Sequence, residues 1–311
     1  MDKVLLPFSL EKVLGYYNLE IFSTGILTSN NADFQNYIHS NLIQLALYDY
    51  RPAIWLSFYS NNFMFTADGL LTNAVASLPA FIVKNKPITA EIAEACILHQ
   101  YYVYGSFDEY YISNSERYME FHNQNDYLLI GADKGKSFRA VLYINGYYQI
   151  IDIGQKEFTD SLILENNHIN IYYLKKTEKV MGFNYSKFAG QLYEYIHSVK
   201  NDYTKYTGIE AIIKFIQYIK EGYVQDNDLI ERSLNVIKLQ KKILYQCLIY
   251  LLDENNQLIN KYKTAMKDID TYINSMLENS QSSIDELKYI LKCEYDILNE
   301  LFSNYLSAPA L

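Results

Sequence analysis

Cysteine is scarce in this chain. Cys96, Cys247 and Cys293 are odd in number, widely spaced and without a CxxC pair, which argues against a disulfide framework and a cysteine-bound zinc. Long apolar runs are missing too. None approaches the roughly 18 residues that a membrane span needs, and the opening stretch MDKVLLPFSLEKV interrupts its apolar residues with charges, so no signal peptide is expected. Basic residues are in the minority, 27 Lys and Arg against 36 Asp and Glu, for a net charge of −9 and a pI near 5.1. That balance disfavours nucleic acid and acidic membrane surfaces as partners, and an acidic carrier protein would need a local basic patch. The weak candidate is Lys238, Lys241 and Lys242 on one helix, with a solvated helix face as the simpler reading. Also absent are GxxxxGK[ST], a GxGxxG opening a helix after a strand, HExxH and GxSxG. Nucleotide, zinc-protease and α/β-hydrolase readings therefore lack support. The expectation is a soluble cytoplasmic protein without metal or resident cofactor.

What is present is enough for a core. The chain has 311 residues, half of them hydrophobic, and 32 tyrosines against 15 Phe and one Trp. Most of those tyrosines are expected to pack, with the hydroxyl turned to water. Residues 1–180 mix short helical patterns with alternating apolar runs, and residues 183–311 read as helix almost throughout. Phe34 to Tyr48 has helical spacing at Tyr37, Ile38, Leu42, Leu45 and Ala46, capped by Asp33 and broken at Arg51–Pro52. Ala53 to Phe65 is strand-like, and Thr89 to Leu98 reads as a helix capped by Thr89. Strands are expected at 101–107, 127–130, 138–143, 147–153 and 169–174, the third and fourth joined by the hairpin signal Asn145-Gly146. A short helix is expected at 157–164. Beyond it, helices are expected at about 186–204, 208–220, 226–252, 257–278 and 283–305, with Ser283 and Glu286 as a capping box and a buried stripe at Ile230, Leu234, Ile237, Leu244 and Leu248. Together these give an α+β fold, a mostly antiparallel sheet packed on helices, followed by a helical bundle.

Three polar clusters are candidates for chemistry. In Asp108-Glu109-Tyr110-Tyr111, period-two alternation would set Asp108 beside Tyr110, an acid and a phenol able to orient an amine or leaving group. In the loop His122-Asn-Gln-Asn125-Asp126, the histidine is a residue type suited to switching charge near physiological pH, and it would pair with Asp126 if the loop turns back; Asn125 can bond but cannot serve as a base. At Tyr37-Ile-His39-Ser40-Asn41 a serine stands beside a histidine at a helix start, although adjacent helical positions diverge by about 100°. Cys96, inside the apolar run AEIAEACIL, reads as a buried, inert thiol.

The stretches Tyr37-Ile-His-Ser-Asn-Leu-Ile-Gln-Leu45, Phe107-Asp-Glu-Tyr-Tyr-Ile-Ser113, His122-Asn-Gln-Asn-Asp-Tyr-Leu-Leu-Ile-Gly-Ala-Asp133 and Tyr206-Thr-Gly-Ile-Glu-Ala-Ile carry a diffuse likeness running nearly end to end. In them the chain resembles the butirosin biosynthesis protein H-like family, papain-like proteins found with peptide assembly lines. The resemblance implies a papain-like domain over 1–180 and a helical domain over 183–311. It also implies transfer of an acyl or aminoacyl group from a carrier-protein thioester to an amine, by a cysteine at the first helix start and a histidine before a glycine-bearing strand. On that alignment Tyr37 holds the cysteine position, Asn125 the histidine position and Asp152 a later acidic one. The implied protein is a degenerate acyltransferase, with Tyr37, Asp108, His122 and Asn125 as catalytic candidates and Tyr37, His39, Ser40, Asp108, Tyr110 and Asp126 as substrate-binding candidates. Its partner would be a carrier protein bearing a phosphopantetheine-linked group, or a biosynthetic enzyme. Two alternatives stand beside it: an active amide-forming transferase using non-cysteine chemistry, and a structural protein that forms a homodimer through its helical half.

Overall fold

The computed structural model describes residues 2–30, 34–59, 71–73, 85–163, 170–174, 182–200, 204–253, 255–279 and 283–306. The fold is mixed α+β with antiparallel sheets. Its contacts resolve into two compact units, one of residues 1–14, 18–32 and 62–179, the other of 15–17, 33–61 and 180–311.

In the first unit a seven-stranded sheet runs β4 (Leu71–Asn73), β9 (Asn170–Leu174), β5 (Tyr102–Asp108), β6 (Gln124–Asp133), β7 (Ser137–Ile144), β8 (Tyr147–Gly154), and β1 (Lys3–Leu5) also joins β6. The long strand β6 is shared along one edge: β5 pairs with residues 124–129 and β1 with 131–133. A bulge between Leu129 and Gly131 shifts the register against β7 there and bends the sheet. The β7–β8 hairpin turns at Asn145 and Gly146 with φ of 56° and 84°, the positive values that a tight two-residue turn demands and that this pair supplies.

One helix of this unit, α1 (Asn18–Asn30), is not legible in the sequence. Its segment NLEIFSTGILTSN has few strong helix formers and no amphipathic stripe. The reason is burial on every side: Ile21, Phe22, Ser23, Thr24, Ile26, Leu27 and Thr28 are all buried. A helix covered all round needs no polar face, and its two threonine hydroxyls are satisfied by carbonyls of the preceding turn, Thr24 to Glu20 and Thr28 to Thr24, each at 2.7 Å. Phe22 lays α1 on the sheet against Tyr104 and Tyr148, with ring centroids 5.9 and 6.3 Å away. The opposite face is covered through α4 (Gln155–Ser161), whose Phe158 meets Tyr127 and Phe138 at 5.2 and 4.4 Å. Beside it runs α3 (Lys86–Leu98). Asn85 caps α3 by accepting from the Ile88 N–H, and Thr89 is a buried residue of its first turns rather than the expected cap.

In the second unit a small sheet, β10 (Tyr206–Thr207), β2 (Leu45–Tyr50), β3 (Ala53–Phe58), packs against helices α6 (Gly208–Lys220) and α7 (Asn227–Leu251). Around them stand α2 (Phe34–His39), α5 (Tyr185–Ile196), α8 (Gln257–Asn279) and α9 (Ile284–Leu301). The expected helix over 34–48 is therefore half right: it stops at His39, and Leu45 onward is strand. Leu45, Ala46 and Leu47 are all buried, and a strand covered on both faces shows a continuous apolar run that periodicity cannot tell from helix. The proposed Asp33 cap and the stretch 60–65 lie outside the described residues. Trp55 pairs across the strands with Tyr48, rings stacked at 5.4 Å.

The expected division at about 180 is also redrawn, because the β2–β3 hairpin joins the C-terminal helices through β10 and α7. Ser233 of α7 fastens it, its Oγ accepting from the Leu56 N–H at 3.0 Å. Gly208 opens α6 at φ 58°, and a Cβ there would sit 2.1 Å from the Tyr195 carbonyl oxygen, so only glycine admits this contact. Asp226 and Ser283 cap α7 and α9 through the Asp228 and Asp285 N–H groups. Among the described residues, no helix is long and apolar enough to cross a membrane.

Candidate functional site

The first residue of the buried helix, Asn18, meets the start of β6. Its Nδ2 donates to Asp126 Oδ2 at 3.0 Å and lies 3.4 Å from Asn125 Oδ1. Its Oδ1 accepts from the Tyr148 hydroxyl at 2.7 Å. Asp126 also accepts from Tyr104 OH at 2.9 Å and from Ser106 Oγ at 2.8 Å. Strand geometry explains the convergence: Tyr104 and Ser106 alternate onto the face of β5 that carries α1, and Ser106 is the register partner of Asp126. Asn125 donates its own Nδ2 to the Tyr143 carbonyl at 2.6 Å. Asp126 thus accepts from three side-chain donors beside a positive helix end. The node contains two amides, one carboxylate and three hydroxyls. It has hydrogen-bonding power but neither a thiol nor an imidazole.

Asn18, Tyr104, Ser106 and Tyr148 do not stand out in the sequence. Their signal would be a helix start at residue 18, hidden by the composition of α1. The expected helix-start residue Tyr37 lies inside the six-residue α2, which belongs to the helical unit, whereas Asn125 belongs to the sheet unit. Within the sheet unit, the helix start against Asn125 is Asn18.

His39 and Ser40 lie at the C-terminal end of α2, not at its start, so no helix dipole activates Ser40. Both are buried. Ser40 Oγ accepts from the Asn184 N–H at 3.2 Å, and burial holds the His39 imidazole neutral, its pKa pulled down to about 4.

His122 pairs with Asp108, not with Asp126. Its Nδ1 lies 2.5 Å from Asp108 Oδ2, and its ring stacks on Tyr110 at 4.4 Å. Asp108 Oδ1 accepts from the N–H groups of Tyr110 and Asn123, both at 3.1 Å. These bonds cap a 3-10 turn at Glu109–Tyr111, which replaces the expected strand alternation. Glu109 turns inward and is buried. It takes bonds from Ser115 Oγ at 2.8 Å and Asn123 Nδ2 at 2.5 Å, with Arg117 at 3.4 Å. The two carboxylates close the loop between β5 and β6. His122 itself is 66% exposed, with Nε2 turned away from the carboxylate. Tyr110 also lines an open groove of about 1010 Å³, together with Tyr111, Tyr118, Met119, Lys136 and Lys156.

The remaining candidates disperse. Asp152 sits on the surface of β8, paired with Arg139 of β7 at 3.0 Å. Cys96 is half-buried, with its thiol pKa raised by burial, and Cys247 is buried with the same shift. No cysteine bonds a histidine side chain among the described residues, and no group of three or more His, Cys, Asp or Glu among them is arranged to hold a metal.

The basic patch is overturned at its centre. Lys241 is fully buried, bonded to Glu294 at 2.8 Å and to the Tyr195 hydroxyl. Glu294 is equally buried and accepts from Tyr195 and Tyr262 hydroxyls at 3.1 and 3.0 Å. Local pattern assigns such a lysine to solvent, because nothing near it in the chain signals a carboxylate some fifty residues away.

Compared with known proteins, the chain matches no protein-family model and no curated protein.

Proposed function

We propose that this protein is a degenerate, papain-like relative of carrier-dependent acyltransferases, retained to bind rather than to turn over. Its ligand on this reading is a carrier protein, the acyl or peptidyl group tethered to that carrier's phosphopantetheine, or a partner enzyme of peptide or thiotemplated biosynthesis. The observation that carries the reading is the contact of Asn18 with Asn125. A buried helix directs its first residue at the start of a sheet strand, the layout in which a nucleophile and base would stand, and both positions are amides. An amide neither attacks a thioester nor accepts a proton near neutral pH. The surrounding donors suit a polar amide-bearing arm, since pantetheine presents amides of its own.

The active alternative, with His122 as base, loses support from the largely exposed ring and its pairing with Asp108 in the turn. The test is incubation with an acyl-pantetheine thioester and an amine acceptor, alongside calorimetric titration with the same thioester. Binding that weakens on Asn18→Ala or Asn125→Ala, with no aminolysis above the uncatalysed rate, is expected. Turnover that disappears in either variant would refute the inert reading.

A further inference from the structure

Asn145-Gly146 is the one Asn-Gly pair in the chain. Its positive φ angles make the β7–β8 turn, and the asparagine makes contacts that the turn does not require. Asn145 Oδ1 accepts from the Glu116 N–H at 2.8 Å, and its Nδ2 donates to the Asn114 carbonyl at 2.9 Å. Both polar atoms of the side chain are thus engaged with a loop some thirty residues upstream. That loop, residues 112–123, joins the 3-10 turn to β6 and carries Tyr118 and Met119 of the open groove. A further tie reaches it from α4, where Glu157 Oε1 accepts from the Ser113 N–H at 2.5 Å. The same dipeptide is chemically labile, because glycine has no Cβ to hinder its own nitrogen. That nitrogen loses its proton to solvent base and bonds to Asn145 Cγ, the Cγ–Nδ2 bond breaks, and ammonia leaves. The resulting succinimide takes up one water at either carbonyl and opens to aspartate or isoaspartate. Ring closure needs the Asn145 side chain to swing over the Gly146 nitrogen, which breaks both bonds to the loop.

We propose that Asn145 is a deamidation site gated by the 112–123 loop, protected while the loop is latched to it and reactive when the loop opens. The aspartate product cannot restore the latch in full. A carboxylate still accepts from the Glu116 N–H, but it has no N–H for the Asn114 carbonyl and sets a negative charge beside that oxygen. The hairpin itself survives, because Asp-Gly serves a tight turn as Asn-Gly does. The change therefore acts on the loop, and through it on the groove wall that Tyr118 and Met119 form.

The test is peptide mass spectrometry of the full chain held in mildly alkaline buffer, folded and in guanidinium chloride. A reaction that needs local opening follows the open population, so Asn145 is expected to be lost roughly tenfold or more slowly in the folded chain. Two variants loosen the latch and leave Asn145-Gly146 in place. Glu116→Pro removes the N–H that Asn145 accepts, and Glu157→Ala releases Ser113. Each is expected to speed deamidation of the folded chain several-fold while hydrogen exchange at Ile144 and Tyr147 stays slow, which separates loop opening from global unfolding. Asn145→Asp is expected to quicken exchange at Ser113 and Met119 and to leave Ile144 and Tyr147 unchanged. A folded chain that loses Asn145 as fast as the unfolded one overturns the proposal. So does an unchanged rate in both loop variants, because the tight turn alone would then protect the site. Exchange at Ser113 and Met119 that is unaltered by Asn145→Asp overturns the effect on the groove wall.

Discussion

Asn18 and Asn125 face each other across the junction of a buried helix and the longest strand of the sheet, Nδ2 to Oδ1 at 3.4 Å. The pair joins residues 107 positions apart, and Asp126 binds the same amide at 3.0 Å.

That distance predicts the behaviour of an engineered thiol. Asn18→Cys places a sulfhydryl at the first residue of α1, where the helix end favours a thiolate and the Asp126 carboxylate opposes it. Adding Asn125→His supplies an imidazolium partner. In the double variant the introduced thiol is expected to titrate about one unit or more below its value in the single variant, read from the pH dependence of iodoacetamide alkylation at that peptide. Equal values would mean that positions 18 and 125 do not face each other.

The buried Lys241–Glu294 pair is a second lever. Desolvation lowers the Lys241 pKa and the neighbouring carboxylate acts against that shift. Glu294→Leu or Lys241→Met alone strands one charge in the core and is expected to cost about 3–5 kcal/mol. The double variant Lys241→Met/Glu294→Leu is expected to recover most of it, since the desolvation of both ions is removed together. Urea unfolding of the three variants measures this; a double variant no better than the worse single one would contradict it.

His39 supplies a pH dependence. In the folded chain its pKa is about 4 because burial penalises the charged ring, while an unfolded histidine titrates near 6.5. As pH falls from about 6.5 toward 4, the unfolded state binds a proton that the folded state refuses, so stability falls through that window and levels off below it. The full loss is on the order of 3 kcal/mol. His39→Gln is expected to flatten the urea midpoint across this window relative to the unaltered chain. Parallel slopes would show that His39 is not the group responsible.

The local elements are legible where chemistry acts between near neighbours. Asn145-Gly146 announces its hairpin because only a few residue types take positive φ cheaply. The helix over 208–220 can be read to the residue, since an exposed polar face leaves a 3.6-residue stripe. The mixed α+β class and the antiparallel strands follow from the same signals. By contrast, α1 carries no stripe because the protein surrounds it, and β2 resembles helix because both faces of its Leu45–Leu47 half are covered. Both have one cause: periodicity reports a boundary with water, and Ile21–Thr28 and Leu45–Leu47 are buried on every side.

Everything that depends on which distant segments meet was settled by the tertiary structure. Asp108 as the partner of His122, Glu294 as the partner of Lys241, and the transfer of residues 33–61 to the helical unit all join positions that local pattern leaves unrelated. The helix start that meets Asn125 belongs to the same class. The sequence determined Asn125 and Asp126, one amide and one carboxylate, at the start of the strand. Packing decided that Asn18, rather than Tyr37, brings the second amide to Asn125, because only the folded sheet sets a helix terminus and a strand start within hydrogen-bond reach.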